Sequence, residues 1–506
     1  MSGQAPATAL AGDHETFPQA FMAAARQLAD HEAYIEGSRR LTYAQWARDA
    51  ASLATHLSRL GVVPGSVVII HLPTSIDYAV CLAAVMLIGG VGSGMNTRLG
   101  PRECAAIIER CRPAVVITED GTELPPASVA FATLRRGELA GALKSPSLAR
   151  HYDAGCASDP AVIVWTSGTT GNPKGAWYDH ANLKAAVRTA GIMSAAFDRR
   201  SSTTPFAHAG YMSKIWDQLA YAKTIIILPA PWKAAEALEL WQAENITVAA
   251  CVPTQWAKLL ELEEMTPSSL PHVRLGFTAT APASAELIEQ IIERLGRPVI
   301  SRYGMTESPS ISGTDPGDPP EVLVHTVGRA QDGIEIRITD DTGASLPAGE
   351  VGGIRVRGPC VMRGYWNDPE MTANSLTSDG WLITGDLGYF DPGGNLVLAG
   401  RSSDMYIRGG YNVYPLEVEN VLLEHPAVAQ ASVVGLETPV IGEIGVAFVV
   451  PADPQAPPSL DDLRGWCRAR LADYKAPDRL EIIPQLPLTD ILKVDKRALR
   501  ARLTGK

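Results

Sequence analysis

Apolar positions recur at three- and four-residue spacing over residues 43–60 and 75–88, and a continuous β-branched run over residues 66–72 separates them. This pattern predicts a helix, a strand buried on both faces and a second helix. Runs of the same β-branched kind return at residues 114–117, 161–165, 224–228, 248–252 and 298–300, most of them followed by a helical pattern. The alternation predicts a large layered α/β body. From residue 326 the texture changes to short strands between Gly-rich turns, at residues 335–339, 353–356, 381–383 and 395–398. A small β-rich subdomain closing the body is expected there. Beyond Arg401 a helix over residues 415–424, strands over 429–434 and 445–450, a Pro-rich loop over 451–458 and a helix over 460–471 predict a compact α+β module. The expected fold class is therefore α/β, with an N-terminal domain over residues 1–401 and a C-terminal domain over 402–506.

Composition narrows the function classes. The 506 residues include 46% hydrophobic and 20% charged positions, a mixture that excludes disorder, collagen and coiled coil and describes a globular chain. The formal net charge of −11 argues against sequence-independent nucleic-acid binding, while leaving room for a small anion in a local pocket. Seven Cys (81, 104, 111, 156, 251, 360, 467) form no C-x-x-C pair, so neither a disulfide framework nor a zinc site is signalled. The first 23 residues hold no Lys or Arg and no continuous apolar block, so no secretory signal is expected and a reducing cytoplasm is the expected location. The apolar stretch over residues 78–91 is interrupted by Gly89 and Gly90 and is shorter than the roughly 20 residues of a membrane span. It reads as a buried helix entering a strand.

The segment with the clearest chemistry is Thr166, Ser167, Gly168, Thr169, Thr170, Gly171, Asn172, Pro173, Lys174, Gly175, directly after the apolar run 161–165. Glycines let backbone N–H groups turn toward a phosphate, the hydroxyls add neutral donors, and Lys174 adds a cation. Composition alone leaves a flexible surface loop open as the alternative, because the order is not that of the ordinary P-loop.

The order of residues 166–175 resembles the phosphate-loop signature of the adenylate-forming superfamily, which includes acyl-CoA synthetases, luciferases and nonribosomal adenylation domains. Further resemblances follow in the same order along the chain: Tyr303-Gly304-Met305-Thr306-Glu307-Ser308, then Thr384-Gly385-Asp386, then Gly400-Arg401-Ser402-Ser403-Asp404 running on to Gly409-Gly410-Tyr411-Asn412, and finally residues 487–496 around Lys493. The whole is most similar to bacterial acyl-CoA ligases. The resemblance implies that a carboxylate attacks the α-phosphorus of ATP, releasing pyrophosphate, and that CoA then takes the acyl group as a thioester.

Roles implied by the resemblance have physical counterparts. Two anions must be brought together, so cations have to offset their repulsion, and Lys493 is the candidate for that task. Glu307, beside Thr306, offers a hard oxygen to Mg2+. Tyr303, next to Gly304, has a flat ring suited to adenine. Asp386 has two oxygens for ribose hydroxyls, and Arg401 has a planar fork for ribose or phosphate, with an ion pair to Asp404 as its structural alternative. Thr280, Ala281 and Pro282 occupy the turn that meets adenine. His208 is expected at the acyl gate, with Tyr211, Met212, Phe277, Thr278 and Met305 lining an apolar pocket suited to an aromatic or alicyclic acid. The C-terminal domain is expected to be mobile about Ser403, exchanging Lys493 for a CoA tunnel at Gly409, Gly410 and Asn412. Three positions depart from the family pattern: Thr280 and Leu492 where Gly is usual, and Ser403 where Asp or Lys is usual.

The expected partners are thus a small carboxylic acid, ATP with Mg2+, and CoA, with no nucleic acid and no membrane span; a homodimer has only its base rate behind it. Residues 204–216 contain no acid to hold an α-ammonium group, which disfavours an amino-acid substrate. Delivery of the acyl group to an amine or a carrier-protein thiol, and a binding protein that does not turn over, remain the alternatives.

Overall fold

The computed structural model describes residues 13–144, 155–166, 173–202, 204–279, 285–438, 441–489 and 494–504. Two large sheets carry the N-terminal body. In the first, Val67–His71 lies between Val91–Gly94 and Val115–Thr118, all parallel, and Val91–Gly94 pairs in parallel with Pro160–Thr166. In the second, the parallel strands Val248–Cys251, Leu275–Ala279 and Val299–Met305 are neighbours, and Ser308–Gly313 folds back antiparallel on the last. Helices cover the parallel strands, as expected for strands buried on both faces.

Local signals set the helices. Thr42 and Gln45 form a reciprocal capping box that starts Tyr43–Arg59, and the Ser75 hydroxyl accepts from the Tyr78 amide to start Ile76–Leu87. Ile76–Leu87 is buried nearly all round, each large apolar side chain contributing roughly 1.5–3 kcal/mol, which accounts for its membrane-like composition. Among the described residues no helix is long and apolar enough to cross a membrane. All seven cysteines are free, and Cys156 alone is exposed. Helices Phe17–Gln27 and Pro101–Cys111 are additional to those predicted, each announced by Pro at its first turn.

The β-rich subdomain is a four-stranded antiparallel sheet ordered Glu335–Thr339, Gly352–Arg357, Leu382–Phe390, Leu396–Arg401. After it, the C-terminal module builds a five-stranded sheet around Gly442–Pro451, paired with Val428–Thr438 on one side. The module also contains the short hairpin Tyr406–Arg408/Tyr411–Val413, whose two-residue turn is Gly409-Gly410 with φ of 57° and 87°. Positive φ at both positions is the type I′ geometry that glycine makes cheap.

Candidate active site

Two antiparallel strands, Pro160–Thr166 and Lys174–Asp179, with Thr166 opposite Lys174, flank the Thr166–Lys174 segment. Its residues Ser167, Gly168, Thr169, Thr170 and Gly171 lie outside the described residues, as do Thr280, Ala281, Pro282 and Lys493.

A second hairpin lies beside the strand Lys174–Asp179. Val299–Met305 turns through Thr306 and Glu307 into Ser308–Gly313, with Met305 opposite Ser308. A bulge between Tyr303 and Met305 lets Pro309 cross close to Gly304, where a Cβ would come within 2.8 Å of the Pro309 carbonyl oxygen. Only Gly fits there without a backbone shift. The Tyr178 hydroxyl, on the strand that begins at Lys174, donates to the Thr306 carbonyl oxygen.

Tyr365, which the sequence reading did not single out, ties the two hairpins together. Its hydroxyl donates to Glu307 Oε1 at 2.7 Å, and Lys174 Nζ lies 5.7 Å from its ring centroid. Burial, and then the Glu307 charge, push the Tyr365 pKa up, so the phenol keeps its proton and donates. The Met362 amide donates to the Glu307 carbonyl oxygen at 2.9 Å. Glu307 is thereby fixed in place near Lys174. Among the described residues no three His, Cys, Asp or Glu side chains converge on a metal position. The donor set therefore fits a Mg2+ that arrives on phosphates and takes one protein carboxylate, rather than a protein-built cage.

Tyr303, Asp386 and Arg401 form one constellation. The Tyr303 hydroxyl donates to Asp386 Oδ2 at 2.6 Å, and Arg401 Nε sits 3.1 Å from Oδ1. Strand register explains the ion pair, because Asp386 and Arg401 are directly opposite across Leu382–Phe390 and Leu396–Arg401. Arg401 thus pairs with Asp386, not with Asp404; Asp404 is approached instead by Lys496 and Arg500. The Asp386 amide donates to Thr384 Oγ1, whose hydroxyl donates to the Ile354 carbonyl oxygen at 2.8 Å. Each Asp386 oxygen retains a lone pair for an incoming hydroxyl. Burial, and then the Asp386 charge, hold the Tyr303 pKa well above its ordinary value.

His208 stands at the N-cap of the short helix Ala209–Met212, with Nε2 3.4 Å from Asn96 Nδ2. Tyr211 and Met212 pack into the main core. The Tyr211 ring stacks on Phe206 at 3.7 Å and its hydroxyl meets that of Tyr34, while Met212 Sδ accepts from Tyr78. The phase of the helix turns them inward and leaves Gly210 outward. Phe277 is half-buried beside Ile300, Thr278 is buried with no partner for its Oγ1 among the described residues, and Met305 packs against the main core.

In the C-terminal module, Leu488 and Val494 bridge, closing the base of the segment that holds Lys493. Lys496, three residues on, pairs with Glu419 at 2.8 Å and is a structural lysine. Ser402 donates through both its amide and its hydroxyl to the Gly385 carbonyl oxygen, so the chain leaves the body beside Asp386, next to Ser403. Gly409 and Gly410 form the tip of their hairpin, with Asn412 exposed on the return strand.

The "AMP-binding enzyme" family profile matches residues 21–366, and that of the "AMP-binding enzyme C-terminal domain" matches residues 417–493. The chain belongs to the AMP-binding enzyme family. It is 33% identical over 473 residues to a feruloyl-CoA synthase of an Amycolatopsis species, covering 92% of this chain and 94% of that protein. It is 31% identical over 493 residues to a 2-succinylbenzoate–CoA ligase of Bacillus cereus, covering 96% and 98%. ATP-bound MatB from Rhodopseudomonas palustris superposes with a TM-score of 0.87 at 29% identity, covering 95% of this chain and 98% of that one. The α/β body with a C-terminal domain is the architecture of these adenylate-forming enzymes.

Proposed function

We propose that this chain, an AMP-forming acyl-CoA ligase, activates an aromatic or alicyclic carboxylic acid with ATP and Mg2+ and passes the acyl group to CoA. The observation that carries the reading is the joining of the Tyr303–Asp386–Arg401 constellation to the Glu307–Tyr365–Lys174 group through one hairpin. Tyr303 lies on the first strand of that hairpin and Glu307 in its turn, four positions on, so one short segment carries a residue of each group. The relatives named for feruloyl and 2-succinylbenzoate substrates support an aromatic acid.

The steps follow from charge. Asp386 accepts the ribose hydroxyls and Tyr303 covers the base, which fixes the α-phosphate relative to His208. Lys174 offsets charge on the outer phosphates, and Lys493 offsets the charge shared by the α-phosphate and the attacking carboxylate. Glu307 would hold a Mg2+ ion that arrives with the triphosphate, and that ion when bound would supply further positive charge to the pyrophosphate leaving group. The carboxylate oxygen bonds to the α-phosphorus as the bond to pyrophosphate breaks. The C-terminal domain, residues 402–506, then pivots about Ser403 and brings Gly409, Gly410 and Asn412 to the cleft. The CoA sulfur bonds to the acyl carbon, and AMP leaves. Its free thiols suit a reducing cytoplasm.

The test is pyrophosphate release over a panel of carboxylic acids, with and without CoA, followed by mass spectrometry. The reading requires an acyl-CoA mass that depends on CoA. An amide formed equally well without CoA would establish delivery to an amine instead.

A further inference from the structure

The wall beyond His208 holds positive charge that the protein does not neutralise. The helical turn after His208 continues, with the Ser213 amide donating to the Ala209 carbonyl oxygen at 3.2 Å and the Lys214 amide to that of Tyr211 at 2.9 Å. Tyr211, Met212 and Ile215 face the core, while Gly210 is exposed. Lys214 lies in the turn between this helix and Ile215–Ala220. It is partly accessible, and its ammonium donates to Ser310 Oγ, in the bulged part of Ser308–Gly313 three residues beyond Glu307. Lys214 thus bridges the His208 segment and the Glu307 hairpin. Lys214 follows His208 by six residues, at the N-cap of the next helix, Ile215–Ala220.

Among the described residues no carboxylate lies within 4.0 Å of the Lys214 ammonium. Arg302, on the neighbouring strand Val299–Met305, is alike. Its guanidinium lies over Gly313, Nη1 donates to the Thr314 carbonyl oxygen at 3.3 Å, and Nε is buried with no partner among the described residues. Of the acids nearby, Asp198 pairs with Arg200 and Arg274 and Asp217 with Lys223, while the charges of Asp217 and Asp315 act on Lys214 and Arg302 from beyond 4.0 Å. Burial lowers the Lys214 pKa, the thiol of Cys360 and the charge of Asp217 oppose this, and the like charges of Arg302 and Arg200 add to it. Cations this poor in counter-ions are uncommon inside a chain of net charge −11.

We propose that Lys214, assisted by the field of Arg302, receives a second anionic group at the far end of the acyl substrate, so that the enzyme selects a dicarboxylic acid and activates the carboxylate nearer His208. The proposal rests on the adenylation reading above and names the substrate class of that site. Ser310 holds the ammonium in place until the second carboxylate arrives, and a charge-assisted bond of this kind separates a diacid from its neutral analogue by about 10- to 100-fold.

The experiment compares kcat/KM for 4-carboxycinnamate and 4-methylcinnamate, and for azelate and nonanoate, in wild type, Lys214→Met, Lys214→Arg and Ser310→Ala. Binding of the corresponding acyl-sulfamoyl adenosines is measured alongside by calorimetry. The expected result is a diacid preference of about 10- to 100-fold in wild type that falls to within about threefold in Lys214→Met, survives in Lys214→Arg and weakens in Ser310→Ala. Equal use of diacid and monoacid by wild type, or a preference that Lys214→Met leaves intact, overturns the proposal. A far-end carboxylate preference in analogue binding without pyrophosphate release from any acid would sustain the second-anion site and overturn the ligase reading instead.

Discussion

Replacing Asp386 by Asn keeps its shape and removes its charge. In the folded protein Asp386 is 7% exposed, accepts from Tyr303 at 2.6 Å and pairs with Arg401 at 3.1 Å. Turning the charge-assisted bond from Tyr303 into a neutral one costs about 1–2 kcal/mol of stability. The Arg401 side chain is 56% exposed, so that pair adds only about 0–1 kcal/mol. The effect on ATP should be separable from this loss. If the ribose hydroxyls donate to the carboxylate, losing its charge removes about 1.5–3 kcal/mol of binding, which raises KM for ATP about 10- to 150-fold. The assay is pyrophosphate release against ATP at saturating acid, with urea unfolding on the same samples. Asp391→Asn is the control, because Asp391 only holds the Asn395 turn at the far end of the same hairpin. A KM for ATP within twofold of wild type, together with the loss of stability, would refute the ribose role and leave Asp386 as a strut for Tyr303.

Two further outcomes separate catalytic from structural groups. Lys493→Ala should lower adenylation by about 100- to 1,000-fold with ATP binding retained, as expected for a charge used mainly in the transition state. Lys496→Ala should lose stability rather than chemistry, since Lys496 is held by Glu419; equal kinetic defects in the two variants would contradict the assignment. His180 gives a pH signature. Its Nδ1 accepts from the Phe17 amide at 3.2 Å, and burial pulls its pKa down to about 4. The unfolded chain therefore binds a proton that the folded chain does not between the ordinary value near 6.5 and about 4, and stability is lost as pH falls through that window, by roughly 3 kcal/mol. Urea midpoints at pH 7 and 4.5 should show a smaller difference in His180→Gln than in wild type, and an identical difference in both would exclude His180 as the cause.

What could be read in advance followed the range of the forces involved. Periodicity reports burial locally, so Tyr43–Arg59 and Ile76–Leu87 were legible, as was the change of texture after Arg401. Strand register joins positions far apart in sequence, and so the pairing of Asp386 with Arg401 stayed hidden behind the nearer Asp404. Tyr365 lies outside every motif, and only the strand Gly364–Tyr365, added to the edge beside Lys174–Asp179, brings it to Glu307. The core contacts of Tyr211 and Met212 were not legible, because a run of small apolar residues does not reveal the phase of so short a helix. Lys214 did leave a trace: residues 204–216 carry a cation and no acid. That absence was read against an amino-acid substrate, but it equally leaves Lys214 with a neutral partner.

The claim on which the account stands is that the substrate carboxylate attacks the α-phosphorus of ATP. A carboxylic acid labelled with 18O in both carboxyl oxygens tests it in a single turnover with CoA. The account predicts one 18O atom in the AMP released and none in pyrophosphate. Label in inorganic phosphate with formation of ADP, or AMP free of label, would contradict it.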